Sequence, residues 1–179
     1  MRIISGTHKG KIITPDKNFK ARPTTDFAKE NLFNVLNNYI DIEDASVLDL
    51  FSGTGSISYE FASRGAGNIV SIELNYNHYA FIKKTAGQLG FKNITVFKTD
   101  VFIACKKLNG KAFDIIFADP PYNLEKIKEI PAAIFNNNLL APDGIAVIEH
   151  PATVDFSQEL YFFEHRQYGS VNFSIFKKQ

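Results

Sequence analysis

Four short apolar segments, each associated with an acidic residue and separated from the next by a helical pattern, constrain the fold of this chain most. The segments cover residues 46–51, 68–72, 94–97 and 113–118, and the acids are Asp49, Glu73, Asp100 and Asp119. Short unbroken apolar runs are typical of strands buried on both faces of a parallel sheet. Because right-handed crossovers bring the carboxyl ends of such strands to one edge, we expect the four acids to gather there, where ligands bind in open α/β sheets.

The remaining patterns complete an α/β domain. Residues 144–149 predict a fifth strand, and residues 160–168 and 171–176 predict a closing hairpin whose last strand is antiparallel to the core. Apolar residues at helical spacing predict helices over residues 28–39, 57–64, 79–89, 101–108 and 124–134, the last broken, kinked or restarted at Pro131. A chain of 179 residues, 45% of them hydrophobic, is expected to form one domain over 1–179. Within it, a basic hairpin arm (1–25), with short strands at Ile3-Ile4 and Ile12-Ile13, precedes the helix and core (26–179).

The first strand leads into a glycine-containing turn, Ser52-Gly53-Thr54-Gly55, that precedes a helix. Glycines let backbone amides approach a ligand closely, and the helix presents its N-terminus at the same place. Ser58 stands where the dinucleotide-binding fingerprint has its third glycine, which counts against a pyrophosphate ligand. Asp49, just before the turn, suits a cationic sulfonium that carries an ammonium group better than a diphosphate.

The acids at the next two strand ends fit an adenosine moiety. Glu73 lies one βαβ unit beyond the turn, where an acidic residue can accept hydrogen bonds from both ribose hydroxyls. Asp100 could accept from an adenine amino group while Val101 or Phe102 packs against the ring. Equally, Asp100 is an N-cap candidate for the following helix, and both roles can coexist.

The segment Asp119-Pro120-Pro121-Tyr122 contains the residue types needed to activate a planar exocyclic amine. Such an amine is a poor nucleophile because its lone pair is delocalised into the ring. The Asp119 carboxylate and the Pro120 carbonyl could accept its two N–H bonds and stabilise the positive charge that develops as the nitrogen attacks a methyl group. Two prolines stiffen the turn, and Tyr122 offers a flat face for stacking a base. The alternative is an acidic strand end followed by a proline-rich turn.

Positive charge is concentrated at the start of the chain. The net charge is only +1, yet residues 1–25 contain six Lys or Arg residues and one Asp. This indicates a polyanionic partner, with Arg2, Lys9, Lys11 and Lys20 as candidate contacts. The alternative is a solvated hairpin whose lysines maintain solubility. Arg22 could reach a phosphate or a cofactor carboxylate, or pair with Asp26.

Other features exclude several classes of protein. No segment has the length and apolar character of a bilayer span, and the N-terminus has no apolar region of the signal-peptide kind, so we expect a cytoplasmic protein. Cys105 falls on the apolar side of a helical pattern and is expected to be a buried, unreactive thiol. The four histidines lack ligand spacing, so no metal site is expected.

Together these motifs resemble those of the class I S-adenosylmethionine-dependent methyltransferases and, more narrowly, the bacterial 16S ribosomal RNA guanine-N2 methyltransferases. The resemblance runs nearly end to end. The Asp-Pro-Pro-Tyr segment is shared with other amino-methyltransferases, including DNA adenine enzymes. The two N-terminal segments, which begin at Arg2 and Arg22, are typical of a much narrower group of proteins. The matching segments are Arg2-Ile-Ile-Ser-Gly-Thr-His-Lys-Gly10, Arg22-Pro-Thr-Thr-Asp26 with Glu30 and Leu32-Phe33-Asn34, Asp49-Leu-Phe-Ser-Gly-Thr-Gly55, Ser63-Arg-Gly-Ala66, Asp119-Pro-Pro-Tyr122 and Tyr168-Gly169.

The resemblance implies a Rossmann-like fold with a mostly parallel seven-stranded sheet, helices on both faces and S-adenosyl-L-methionine as cofactor. It implies a partner, 16S rRNA, either free or within an assembling small subunit, and the target base must be unpaired or flipped. We also expect a monomer. One departure from the family is Phe27, at a position where the family commonly has a basic residue. Lys29 is expected to supply positive charge nearby. The implied catalytic residues are Asp119, Pro120, Pro121 and Tyr122, and the implied cofactor-binding residues are Asp49, Phe51, Ser52, Gly53, Thr54, Gly55, Glu73, Leu74, Asp100, Val101, Phe102 and Arg22.

Three alternatives remain at the level of sequence. DNA adenine-N6 methyltransferases use the same tetrapeptide, although they usually carry a target-recognition region for which this chain has little room. A nucleotide-dependent oxidoreductase is disfavoured by the missing third glycine. A non-catalytic RNA-binding module with a vestigial pocket is the third.

Overall fold

A seven-stranded sheet organises the computed structural model, which describes residues 1–15 and 26–178. The strands lie in the order β3-β2-β1-β4-β5-β7-β6; β7 is antiparallel to both of its neighbours and the other neighbouring pairs are parallel. The predicted α/β fold with an antiparallel C-terminal strand is confirmed. In chain order the strands are β1 (Ser46–Leu50), β2 (Asn68–Glu73), β3 (Ile94–Lys98), β4 (Phe113–Ala118), β5 (Leu140–His150), β6 (Phe162–Tyr168) and β7 (Val171–Lys177).

Helices cover both faces of the sheet because successive strand residues point to opposite sides. Val47 of β1 belongs to the core cluster formed with the first two helices, whereas Leu48 belongs to the cluster on the other face. Pro131 lies in the first turn of the last helix, where its missing N–H costs nothing, so the pattern restarts there after a short 3₁₀ turn (Ile127–Glu129). The helices are α1 (Asp26–Asn37), α2 (Ser56–Ser63), α3 (Tyr76–Leu89), α4 (Val101–Lys107) and α5 (Ile130–Phe135).

The N-terminal hairpin is less regular than predicted. Within residues 1–15 the two expected strands are reduced to one antiparallel bridge, between Arg2 and Ile12. The reason is that neighbouring amides bind α2 instead of a partner strand. Ile4 and Ser5 donate to the Glu60 carboxylate at 2.7 and 3.0 Å, and the Thr7 amide donates to the Ser63 carbonyl at 2.7 Å. The segment is therefore docked on α2.

A buried ion pair supports this docking. The Lys29 amine lies 3.8 Å from the Glu60 carboxylate, and both side chains are buried. Lys29 also donates to the Arg2 carbonyl at 2.5 Å and to Ser56 Oγ at 3.1 Å, while Arg64 Nε donates to Glu60 at 2.8 Å. Burial lowers the pKa of the Lys29 amine. Lys29, expected as a charge near Phe27, is therefore buried and paired with Glu60.

Two further sequence expectations concern buried and membrane-spanning segments. Cys105 is buried as predicted, and burial raises the pKa of its thiol to about 12, which makes the thiolate scarce at neutral pH. Across the two described ranges, every helix is too short or too polar to cross a bilayer.

Candidate active site

A cleft of about 1840 Å³ opens at the carboxyl edge of the sheet, around the ends of β1, β2, β4 and β5. Small-molecule sites usually occupy about 300–1,000 Å³, so this cleft has room for a nucleoside cofactor and a second ligand. Residues of the β1 turn and of the Asp-Pro-Pro-Tyr segment face the same space, as the sequence predicted. The predicted residues that line the cleft are Phe51, Gly53, Glu73, Leu74, Asp100, Val101, Phe102, Asp119, Pro120, Pro121 and Tyr122.

The other predicted cofactor and RNA residues are placed differently. Arg2 is exposed and pairs with Asp26 at 3.1 Å, Lys9 is exposed, and Lys11 lines the cleft. Arg22 and Lys20 lie outside the described residues. The cofactor candidates absent from the cleft lining are Asp49, Ser52, Thr54 and Gly55, all of which are buried.

Asp49 does not present its charge to the cleft, contrary to expectation. Its carboxylate is buried and accepts a hydrogen bond from the Ser58 hydroxyl, which in turn lies 2.7 Å from Ser71 Oγ. Burial raises the pKa of Asp49 to about 7. Ser58, first noted as a missing glycine, therefore serves as the hydrogen-bond donor to a partly neutral carboxyl group under the turn.

The turn after β1 is held in an unusual backbone conformation. Phe51, Gly53 and Gly55 all have positive φ, at 62°, 54° and 81°. A Cβ at position 55 would lie 2.7 Å from the Tyr59 ring, so only glycine fits there. A non-glycine residue in this region costs roughly 1 to 3 kcal/mol and is commonly found at functional sites. Phe51 thus uses strained backbone to place its side chain against the cleft.

The Glu73 carboxylate is oriented by backbone amides on both sides. Gly53 N–H donates to one oxygen at 2.8 Å and Asn75 N–H to the other at 2.7 Å. Each carboxylate oxygen can accept a further hydrogen bond. Glu73 is therefore fixed at the cleft with acceptor capacity left, and the ribose contact stays a prediction.

Asp100 has the N-cap role that the sequence analysis gave as the alternative. One carboxylate oxygen accepts from the Phe102 and Ile103 amides at 2.9 and 3.1 Å. The cap fixes the start of α4, so Val101 and Phe102 face the cleft. The adenine contact stays a prediction.

Asp119 faces a second acid, Glu149, that the sequence analysis missed. Ala118 pairs with Ile148 in the β4–β5 register, which makes Asp119 and Glu149 the next neighbours along the two strands. The Tyr122 hydroxyl donates to Glu149 at 3.0 Å. Burial, followed by the charges of Glu149 and Asp49, raises the pKa of Asp119. Glu149 ends the fifth apolar segment, so the rule that selected the other acids could have found it.

Exposed apolar side chains line the mouth of the cleft. Phe27 is 62% exposed, Ile12 is 71% exposed and Tyr122 is 46% exposed, and all three line the cleft. Phe27 stands where the family commonly has a basic residue, so this part of the rim offers an aromatic face in place of a charge. Such a rim could stack against a planar ligand that enters the cleft from solvent.

Comparisons with known proteins agree with this geometry. The family model described as "Conserved hypothetical protein 95" matches residues 1–177. YlbH of Bacillus subtilis (strain 168), named as a candidate rRNA methyltransferase, is 32% identical over 100% of both chains. Ribosomal RNA small subunit methyltransferase D of Buchnera aphidicola subsp. Baizongia pistaciae is 34% identical over 87% of this chain and 78% of its own length.

The fold also matches a solved structure. The candidate methyltransferase yhhF from Escherichia coli superposes with a TM-score of 0.86 at 26% sequence identity, covering 100% of this chain and 99% of that one. The similarity therefore includes the whole sheet and the N-terminal segment.

Proposed function

The chain belongs to the family described as Conserved hypothetical protein 95, and on that premise we propose that it methylates the exocyclic N2 amine of a guanine in small-subunit (16S) rRNA. The observation that carries this proposal is the shared cleft, in which the Gly53 turn and the Asp119 carboxylate face one space. The relatives' names supply the class of substrate. Those names give no support to the oxidoreductase alternative.

The residues present fit S-adenosyl-L-methionine. The Gly53 turn leaves room for close approach, Glu73 is an oriented acceptor for the ribose hydroxyls, and Val101 and Phe102 provide an apolar wall for the adenine. When bound, this cofactor supplies an electrophilic methyl group on a sulfonium. We propose that Asp49 supports the cofactor site from beneath the turn, through its hydrogen bond with Ser58, and does not contact the cofactor itself.

Asp119 and Pro120 act on the target amine. Their oxygens would accept hydrogen bonds from its two N–H groups and draw the nitrogen lone pair out of conjugation, toward the methyl group that the bound cofactor would supply. The Asp119 carboxylate then takes the N–H proton, a role that its raised pKa favours. Glu149 accepts from the Tyr122 hydroxyl and so fixes the ring against which the guanine stacks.

The rim supports RNA as the substrate. A guanine reaches the cleft only when it is unpaired or flipped, and Tyr122 and Phe27 offer faces on which it or a neighbouring base can stack. Lys9 and Lys11 are exposed on the docked N-terminal segment and are proposed to contact the RNA backbone. We propose a cytoplasmic monomer that acts on free or assembling small-subunit RNA.

Methyl transfer from labelled cofactor to small ribosomal subunits, naked 16S rRNA and DNA, followed by mass spectrometry of the modified base, tests the proposal. We expect N2-methylguanine in the rRNA, and loss of transfer in Asp119→Ala with cofactor binding retained. Methyladenine in DNA would establish the first alternative. Cofactor and RNA binding without transfer by the wild-type protein would establish the non-catalytic one.

A further inference from the structure

The stretch between Glu73 and Asp100 has a charge that the chain as a whole does not show. Residues 74–99 contain four lysines and no Asp or Glu, although the net charge of the chain is +1. They form the exit of β2, all of α3 and the edge strand β3. The four lysines, Lys83, Lys84, Lys92 and Lys98, are all exposed. This segment therefore carries a formal charge of +4.

Two tyrosines and two of these lysines form a continuous strip on that surface. The rings of Tyr76 and Tyr79 lie 6.3 Å apart. Lys98 Nζ lies 5.4 Å from the Tyr76 ring centre, and Lys83 Nζ lies 5.5 Å from that of Tyr79. The order along the surface is Lys98, Tyr76, Tyr79, Lys83, which we call the lysine–tyrosine strip.

The strip is not needed to pack α3. The helix buries Ile82, Thr85 and Ala86, whereas Tyr76 is 64% exposed. Helical spacing places Tyr76, Tyr79 and Lys83 on one face, where Tyr79 is half-buried and contacts both of the others. Exposed apolar groups clustered in this way commonly mark an interaction site.

The strip begins where the active-site cleft ends. Leu74 and the neighbouring face of α3, which includes His78, Phe81 and Lys84, line the cleft. A polymer that places one nucleotide in the cleft can therefore continue across α3 onto the strip.

We propose that the lysine–tyrosine strip binds the single-stranded RNA that flanks the target base, with the tyrosine rings stacking on unpaired bases and the lysines contacting phosphates. Alternating aromatic and cationic groups match the alternation of bases and phosphates in a single strand. A protein partner is disfavoured because this surface has charge of one sign over 26 residues. The proposal rests on the proposed function, since it assigns part of the same RNA substrate.

Two variants and a matched control test the strip. Tyr76→Ala removes a stacking face, and Lys83→Gln with Lys98→Gln removes two charges. The control is Lys106→Gln with Lys107→Gln, an exposed pair on α4, which packs on the opposite face of the sheet. Each protein is titrated with single-stranded and duplex RNA of about 12 nucleotides over a range of salt concentrations, a length within the usual site size.

We expect Tyr76→Ala to weaken single-strand binding roughly 5-fold or more, with little effect on duplex binding. The double lysine variant should reduce the log–log salt slope by about 1.4, because each phosphate contact contributes about 0.7. Both should raise KM for 16S rRNA while kcat at saturating RNA and the affinity for S-adenosylhomocysteine stay unchanged. The control pair should leave the salt slope unaltered.

If the variants keep the single-strand affinity and salt slope of the wild type and methylate rRNA normally, the proposed RNA-binding role of the lysine–tyrosine strip is wrong. The proposed function would remain intact. Loss of activity on intact subunits but not on naked RNA would indicate a protein contact and would also overturn it. Conversely, strip-dependent RNA binding by a wild-type protein that transfers no methyl group would overturn the proposed function alone.

Discussion

Two neighbouring carboxyl groups, at the ends of β1 and β5, affect the protonation of Asp119 at the end of β4. Asp49, Asp119 and Glu149 each follow, by two positions, a strand residue that packs against α1 and α2, so they are placed on the same face of the sheet. Those preceding residues are Val47, Phe117 and Val147. The negative charges of Glu149 and Asp49 add to burial in raising the pKa of Asp119. Because an ionised Asp119 is needed to accept from the amine, activity should rise with pH through that pKa.

Replacing Glu149 with Gln should shift the acid limb of the pH–rate profile to lower pH. Gln can still accept from the Tyr122 hydroxyl, but it removes one cause of the raised Asp119 pKa. The measurement is kcat/KM for 16S rRNA between pH 5 and 9. Glu43→Gln, on an exposed loop, serves as the control and should leave the profile in place. An acid limb that does not move in Glu149→Gln would show that Glu149 does not influence the ionisation of Asp119, contrary to this prediction.

Asp49 makes a pH-dependent contribution to stability. Its folded-state pKa of about 7 exceeds the unfolded value of about 3.9, so the native state binds the proton more tightly. The stabilisation is complete below about pH 4 and is lost as pH rises through about 7. Ionising a buried carboxyl group at higher pH therefore destabilises the fold.

We expect Asp49→Asn to lose less stability than the wild-type protein between pH 5 and pH 8. The difference should be at least about 1 kcal/mol, since one pKa unit corresponds to about 1.4 kcal/mol. Urea unfolding at the two pH values measures it. Asp143→Asn, at an exposed position, should follow the wild-type profile. Parallel profiles for Asp49→Asn and wild type would contradict the assignment.

At the scale of elements, the N-terminal segment depends on one close approach to α2. Gly6 has φ +79°, and a Cβ there would lie 1.7 Å from the Ser63 carbonyl oxygen. Gly10 has nearly the same φ, +83°, but open space around it. The two glycines therefore differ in surroundings and not in backbone conformation, which makes them a matched pair.

Gly6→Ala should release residues 1–15 from α2, whereas Gly10→Ala should not. Both variants incur the left-handed cost, roughly 1 to 2 kcal/mol, but only Gly6→Ala adds a backbone clash. Hydrogen exchange at the Ile4 and Ser5 amides reports the release, because both donate to Glu60 in the docked state. Equal exchange rates in the two variants would show that the clash is relieved without undocking.

At the scale of the whole molecule, ligand binding should stabilise a fold whose cleft joins several elements. S-adenosylhomocysteine at 100 times its Kd should add about 2.7 kcal/mol to the free energy of unfolding. For a chain of this size that corresponds to roughly 5–10 °C in Tm. Thermal unfolding with and without the ligand measures the shift. Glu73→Ala should need much higher ligand concentrations for the same shift, and an undiminished response would remove Glu73 from the cofactor site.

Features governed by local pattern were predictable, and features governed by tertiary contacts were not. The strands and the position of Asp119 follow from apolar runs and crossover handedness, and the Asp100 cap follows from local side-chain chemistry. The burial of Asp49 could not be read from sequence, because it depends on Ser58 of α2 folding over the end of β1. The loss of hairpin strands likewise depends on Glu60, more than fifty residues away. The arrangement of Tyr122 with Glu149 required the register of β4 and β5.

The position of β7 between β5 and β6 has a consequence for biosynthesis. Because β7 follows both strands in the chain, a nascent polypeptide that ends at residue 170 carries β5 with an open edge and β6 without a neighbour in the sheet. Unpaired edges readily associate with other chains. The sheet can therefore close only after β7 has been synthesised, however early the rest of the polypeptide collapses.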